Sequence, residues 1–464
     1  MTNLSPHNFS LKVKDASKGS DFVGLAIKRD KDKNLEACAT FPMGYGMGSE
    51  PKTGDSISSD MRSEILLLVR TISGCKRLEG ECVSQINSEK SKRNFPIASI
   101  IYLIEDFLDR GSYYTEKEKI AGRGLPGKIS WSATIKRIKP IVSETGIAFL
   151  DFIVRKTRIK QDQLITELHK YCVRRAFEYL GFLYTSAMPE EGLLTGDDIG
   201  KDGAYYSAFL EEKIAETHLE ANAELFLQMK NLIDNLDCES ELSAVTYGTT
   251  SFHVVWESMV DRVYGTIEES EKKYFQPGSH WAFVDDSSKA RNNAVLRPDT
   301  IMLTGEGPDK KCYILDSKYY SYDVLRKKNA ENESEDDEDN GQETVSAHGS
   351  IPGTDSIQKQ ITYAEYIDKV LTPAKNPNQE KYKFNSDKIF NAFLLPGNLG
   401  DDKPPKYIGY AEAAWNVHAQ NVKYRKIHGF RLDTKTLMRN HKQKDSEAIK
   451  ILADVIEHSQ DSKI

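Results

Sequence analysis

Apolar and polar positions follow two rhythms along this chain. In SFHVVWESMVDRVYG the residues Phe252, Trp256, Met259 and Val263 recur at helical spacing, which predicts an amphipathic helix. The same period predicts a helix over Ser58 to Ile72, with Ser59 and Asp60 as capping residues and Ile65, Leu66 and Val69 on its apolar face. Another runs over Pro96 to Arg110, opened by proline and stopped by Gly111. Further helices are expected in the second half of Asp151 to Leu180, over Glu211 to Leu236 and over Ser356 to Val370. Short apolar runs bounded by turn residues mark strands. Two lie within Phe22 to Tyr45 around a charged turn; others are Thr300 to Thr304, Lys311 to Leu315, Asn391 to Pro396 and Tyr407 to Ala411. Strands and helices interleave, so the expected class is α/β. No internal repeat is visible.

The runs Thr300 to Thr304 and Lys311 to Leu315 flank GEGPDK, a Gly/Pro/Asp cluster that reads as a turn. Folded as a hairpin centred on Gly307 and Pro308, they place Asp299 opposite Asp316, at the short cross-strand separation of an antiparallel pair. Side chains alternate faces along a strand, so Lys318 shares the face of Asp316. Two carboxylates a few Å apart repel unless one is protonated or a cation lies between them. A hard divalent ion such as Mg²⁺ suits these oxygens and keeps positions for a phosphate. Such an ion polarises a phosphodiester and acidifies a water, while a neighbouring lysine orients that water and offsets charge developing on phosphate. The plain alternative is a surface hairpin with solvated charges.

Pro298-Asp299 and Asp316-Ser317-Lys318 resemble the motif of the PD-(D/E)xK nuclease superfamily. The resemblance implies Mg²⁺ held by Asp299 and Asp316 with a nearby backbone carbonyl at Ser317, and Lys318 beside the attacking water. It also implies an acid on an upstream helix. Glu257 is the candidate, flanked four residues away by His253 and Asp261, and by the resemblance it would reach the metal or assist a second ion. A polar residue on the helix after the lysine strand is implied too. SIQKQITYAEYIDKV offers Gln358 and Gln360, and Gln360 fits better because Lys359-Gln360 precedes Tyr363. For both Glu257 and Gln360 the ordinary alternative is a solvated helix residue.

The chain has 464 residues, 39% hydrophobic and 29% charged, enough for two or three domains with real cores. No apolar run approaches a membrane span and the N-terminal residues lack an apolar signal core, so a cytoplasmic protein is expected. The six cysteines are scattered with no CxxC pair, which suits reduced thiols better than zinc. A net charge of −7 argues against a DNA-binding protein only until it is located: Glu331 to Asp339 alone carries seven acids and no base. The rest of the chain is neutral. That run reads as a disordered loop inserted between Lys318 and Gln360, either simply solvated or occupying a basic groove as a phosphate mimic.

AGRGLPGKISWSATIKRIKP (Ala121 to Pro140) is the opposite case. It carries Arg123, Lys128, Lys136, Arg137 and Lys139 around Trp131, and no acid. Basic residues interleaved with an aromatic suit phosphate contact and base or sugar packing, although Trp131 could equally be a buried anchor. Within it GRGLPGK approaches a P-loop. Ile129 stands where the Mg²⁺-binding Ser or Thr belongs and TEKEKIA precedes it in place of an apolar strand, so no nucleotide site is expected.

Across most of its length the chain also resembles the LlaJI-type restriction endonucleases within that superfamily. The pieces, in order, are Phe41-Pro42-x-Gly44-Tyr45, the Arg62 to Val69 helix, Lys128-Ile129-x-Trp131-x-x-Thr134-Ile135, Val255-Trp256-Glu257, the Asp-x-Lys hairpin, and Phe393 to Pro396 with Ile408-Gly409. The acidic loop departs from the pattern. The resemblance implies a type II, sequence-specific, Mg²⁺-dependent endonuclease of a bacterial restriction-modification (phage defence) system, leaving 5′-phosphates on double-stranded DNA. It implies a cognate DNA methyltransferase and a McrB-like GTPase subunit as partners. Cutting both strands needs two sites, so a homodimer or a heteromeric assembly is expected. A McrC-like nuclease subunit of an NTP-driven complex and a non-catalytic DNA-binding module are the alternatives. The expected partition is a DNA-recognition α+β region over 1–185, a helical linker over 186–240, and a nuclease domain over 241–464. That last domain would have a mixed sheet flanked by helices and the acidic insertion at 329–350.

Overall fold

The computed structural model describes residues 9–15, 22–29, 35–46, 58–75, 82–86, 95–124, 127–159, 163–185, 187–235, 244–281, 291–292, 295–320, 351–369, 382–400, 403–413 and 422–460. The acidic run Glu331 to Asp339 lies outside them. In chain order, β1 (Phe9–Asp15), β2 (Val23–Arg29), β3 (Leu35–Phe41), α1 (Ser59–Ser73) and β4 (Cys82–Ile86) precede α2 (Ile97–Arg110). Next come β5 (Lys117–Arg123), β6 (Lys128–Ile129), α3 (Trp131–Arg137), β7 (Ile141–Ser143), β8 (Gly146–Ala148) and β9 (Ile153–Ile159). The helices α4 (Leu164–Leu180), α5 (Gly196–Glu216) and α6 (Glu220–Asn235) follow. After β10 (Ala244–Thr249) and α7 (Phe252–Tyr264), a short pair, β11 (His280–Trp281) and β12 (Arg291–Asn292), leads to β13 (Thr300–Thr304) and β14 (Lys311–Ser317). The remaining elements are α8 (Thr354–Lys369), β15 (Ile389–Gly397), β16 (Lys406–Ala411), β17 (Ile427–Asp433), α9 (Thr434–Asn440) and α10 (Ser446–Ser459).

The chain forms two compact units that are interleaved in sequence. One holds Gln85–Ser243; the other combines Phe9–Ser84 with Ala244–Ile464. The interleaving departs from the linear partition at 185 and 240, and backbone hydrogen bonding is the reason. In the larger unit a sheet of order β1-β3-β2-β10-β4 pairs β10 antiparallel with β2, Val245 opposite Ile27 and Tyr247 opposite Leu25. An early strand thereby finds its partner more than two hundred residues later. Val23, Leu25 and Ile27 are buried on this sheet, and α1 supplies Ile65, Leu68, Val69 and Ile72 to the same core. In the smaller unit α5 packs on α6, and α6 on α2 and α4, so the helices of 196–235 belong to a folded core. That core buries Ile100, Leu103, Leu168, Cys172 and Met229.

The second sheet of the larger unit has the order β13-β14-β15-β17-β16. Its middle strands β14, β15 and β17 are parallel, and the outer pairs β13/β14 and β16/β17 are antiparallel. Alternation along β14 explains how it is covered. Cys312 and Ile314 cluster with Tyr363, Ala364 and Ile367 of α8. Tyr313, pointing the other way, hydrogen-bonds Glu457 of α10, and α7 packs on α10 and β13. The result is a mixed sheet flanked by helices.

Strand β17 was not among the strands expected from the apolar runs. Its seven residues are all buried, His428 and Arg431 included. Lys423, Arg425 and Lys426 next to it are engaged with Phe390, Glu365 and Tyr410. Among the described residues Cys38, Cys75, Cys172 and Cys312 form no disulfide. No helix of the described residues is long and apolar enough to cross a membrane.

Candidate active site

The hairpin β13–β14 forms with the expected register. Thr300 faces Leu315 and Thr304 faces Lys311, so the positions just beyond the ladder, Asp299 and Asp316, face each other. The turn closes through Gly307–Asp309, with Gly305 and Gly307 both at positive φ. Asp299 Oδ2 accepts the Ser317 N–H at 2.9 Å, which extends the ladder by one side-chain rung. Lys318 Nζ lies 3.0 Å from Asp316 Oδ2. The strand is held open for this by its other neighbour, the Lys318 N–H donating to the Leu394 carbonyl of β15 at 2.9 Å.

Electrostatics set the character of this cluster. Burial, then the charge of Asp316 and a hydrogen bond with it, then the charge of Glu257, hold the Asp299 carboxyl well above the ordinary carboxylate range. The Ser317 N–H opposes this. For Lys318, burial works downward, but the charge and hydrogen bond of Asp316 and the charge of Asp299 outweigh it and raise the ammonium pKa. Tyr363 on α8 is pushed up to about 12 by burial and then by Asp299 and Asp316. Its hydroxyl donates to the Arg297 carbonyl at 2.9 Å. The spacing of Tyr363 three residues after Gln360, one helical turn, is the sequence signal for its place here.

Asp299, Asp316 and Lys318 come together at the end of β14. Glu257, on α7, acts on Asp299 as a charge, while Asp261 is engaged by Lys272 at 2.6 Å and His253 is exposed. Among the described residues no group of three or more His, Cys, Asp or Glu side chains is gathered at metal-binding spacing. Gln360 is fully buried, and both its amide atoms lack a hydrogen-bond partner among the described residues. The same holds for Thr300 Oγ1 and Ser317 Oγ on the hairpin. Buried orphan polar atoms cost roughly 1–3 kcal/mol each unless water or a ligand completes their bonding. The carboxylate oxygens of Asp299 and Asp316 are hard donors of the kind that suits Mg²⁺.

Three aromatic residues brace the cluster. Trp256 Nε1–H donates to the Leu394 carbonyl at 3.2 Å, the same oxygen that holds the Lys318 backbone. The Tyr319 ring packs on Phe252 and Trp256, and its hydroxyl accepts the Met43 N–H at 2.8 Å. The Pro42–Gly46 loop is thereby laid across the strand ends, with Thr434 Oγ1 donating to the Met43 carbonyl at 3.1 Å. In the smaller unit Arg123, Lys128, Trp131, Lys136, Arg137 and Lys139 are all exposed, which removes the buried-anchor alternative for Trp131.

A mixed α/β sheet carrying a facing carboxylate pair and a lysine at the end of a central strand defines the class of site. Residues 51–404 match the LlaJI restriction endonuclease family, and the chain belongs to that family. It is similar to a Bacillus subtilis (strain 168) protein, the type II restriction enzyme BsuMI component YdjA. The two are 26% identical over 319 residues, which is 66% of this chain and 62% of that protein. The chain thus aligns with less than two thirds of that relative's length. Among solved structures, a chain of the half-complex of Thermococcus gammatolerans McrB AAA+ hexamers with bound McrC aligns with 94% of this chain and 83% of the other at 12% identity and a TM-score of 0.33. The restriction endonuclease FokI aligns with 80% and 70% at 11% identity and a TM-score of 0.14.

Proposed function

We propose that this chain is a Mg²⁺-dependent deoxyribonuclease of a restriction system, with a PD-(D/E)xK site that hydrolyses phosphodiesters of double-stranded DNA to 5′-phosphates. The observation that carries the reading is the facing pair Asp299 and Asp316 with Lys318 3.0 Å from Asp316. Asp299 and Asp316 would hold the ion, with Glu257, whose charge acts on Asp299, assisting it or a second ion. When bound, Mg²⁺ supplies Lewis-acid polarisation of the phosphodiester and a lowered pKa for the attacking water. Burial first and then the charge of Asp316 raise the pKa of Asp299, and a cation held there would offset the second of these and loosen the hold of Asp316 on Lys318. Lys318, freed in part, orients the water and offsets the charge developing on phosphate. Gln360 turns its unpartnered amide to the water or the lysine strand.

The relative's description as a component favours a second reading, in which the chain is the nuclease subunit of a heteromeric, NTP-driven complex of McrC type. No P-loop is found in this sequence, so the motor would be another chain, a McrB-like GTPase. A cognate methyltransferase protecting host DNA and a cytoplasmic location belong to either reading. The test is incubation of the purified protein with DNA and Mg²⁺, with and without GTP or ATP and candidate partner subunits. Sequencing of the product ends reads both cut position and chemistry. Site-specific cutting by this chain alone removes the motor-dependent reading. Cutting that survives Asp316→Ala and Lys318→Ala removes the site, and DNA binding without any cutting leaves only a binding module.

A further inference from the structure

We infer that the exposed face of the three-stranded sheet β5-β9-β6 in the smaller unit is a cradle for the phosphate backbone of duplex DNA. The inference rests on the nuclease reading for its choice of DNA and adds where that DNA is held. Strand β5 alternates exposed and half-buried positions, so Lys117, Lys119 and Arg123 share the open face. The register places Ala121 of β5 opposite Arg155 of β9, and Arg155 opposite Lys128 of β6. Arg155 and Lys128 therefore stand side by side as exposed like charges across neighbouring strands. Such a pair is unfavourable in the free protein and becomes favourable against an anion. Lys117, Lys119 and Arg155 were outside the basic stretch legible in the sequence; pairing brings them onto it.

Of the acids nearby, Asp151 offsets Arg123 alone, which leaves Lys117, Lys119, Lys128 and Arg155 to make this face positive. Glu118 points to the opposite face and pairs there with Arg158. Asp151, which pairs with Arg123, is also held by the Phe152 N–H at 2.8 Å. Beside the sheet Trp131 is 55% exposed, its ring set edge-on against Phe149 and Phe152. The hairpin β7–β8 adds the facing apolar pair Val142 and Ile147, 72% and 68% exposed. A run of cations flanked by an exposed indole and an apolar tip matches a duplex, whose phosphates take the cations and whose grooves and base steps accept apolar wedges.

The experiment measures duplex binding by the full-length protein across a salt series in EDTA, where cleavage plays no part. Lys119→Ala/Lys128→Ala/Arg155→Ala should flatten the log K against log[salt] slope by about 0.9 per lost contact, roughly 3 in all. It should weaken binding to unrelated sequences alike. Lys119→Arg/Lys128→Arg/Arg155→Lys keeps the charges and should keep the slope, which separates charge from damage to the fold. Wild-type slope and affinity in the alanine variant, or no duplex binding by the wild type, overturns the inference and turns the face over to a protein partner. A flattened slope in a protein that never cuts DNA sinks the nuclease reading and leaves this one standing.

Discussion

Replacing Asp299 by Asn should make the metal-free protein more stable while disabling it. The Asn side chain keeps a carbonyl oxygen for the Ser317 N–H, so the 2.9 Å bond survives. What is lost is one of two facing negative charges. At about 4 Å and an effective dielectric near 20 such a pair repels by about 4 kcal/mol. Lys318, 3.0 Å from Asp316, already offsets part of this. A net gain of roughly 1–3 kcal/mol remains, each kcal/mol worth roughly 2–4 °C in Tm for a unit of this kind. The sign with pH follows from linkage. Burial and Asp316 raise the folded-state pKa of Asp299, so the folded protein keeps a proton that the unfolded chain has released. Wild-type stability therefore falls as pH rises from the ordinary carboxylate value through the raised one. The gain from Asp299→Asn is absent in acid and fully developed above the raised pKa. Calorimetry in EDTA over a pH series, repeated with Mg²⁺, is the assay. Mg²⁺ should raise the wild-type Tm and leave that of the variant unchanged, and cleavage should fall by at least about 100-fold. A variant no more stable than wild type in EDTA at alkaline pH, or one still stabilised by Mg²⁺, refutes the argument.

Three other substitutions probe the scaffold. Trp256→Phe removes the donor to the Leu394 carbonyl and opens a small cavity, for an expected loss of roughly 1–3 kcal/mol by urea titration; no loss would show that the indole N–H anchors nothing. Gly44 has φ +71, and a Cβ there would lie 2.6 Å from the Gly397 nitrogen, so Gly44→Ala should cost roughly 2 kcal/mol or more, read by thermal unfolding. Burial, with the charge of Arg110, holds His169 down at about 3, and its Nδ1 accepts the Tyr114 N–H at 2.9 Å. The unfolded chain therefore takes up a proton that the folded protein refuses, and stability should decline by about 1.4 kcal/mol per pH unit as pH falls below 6.5. In His169→Gln that part of the dependence should vanish, and an unchanged slope would show that His169 does not carry it.

The hairpin that carries Asp299, Asp316 and Lys318 was legible because everything it needs is local. A Gly/Pro turn sets the register, and the register sets which residues face each other. The helices bearing Glu257 and Gln360 were legible for a similar reason, since a 3.6-residue period shows itself within a few turns. Strand β17 escaped because a strand covered on both faces has no alternation, and His428 and Arg431 interrupt its apolar run. The pairing of β10 with β2 escaped because nothing in either segment names a partner more than two hundred residues away. Local chemistry thus wrote the acids, the lysine and their mutual register into the chain. Non-local packing alone could set the rest: the raised pKa of Asp299, the Leu394 carbonyl shared by Trp256 and Lys318, and the joining of Lys117, Lys119 and Arg155 into one basic face. Burial and cross-strand neighbours are properties of the assembled sheet, and no short stretch of sequence contains them.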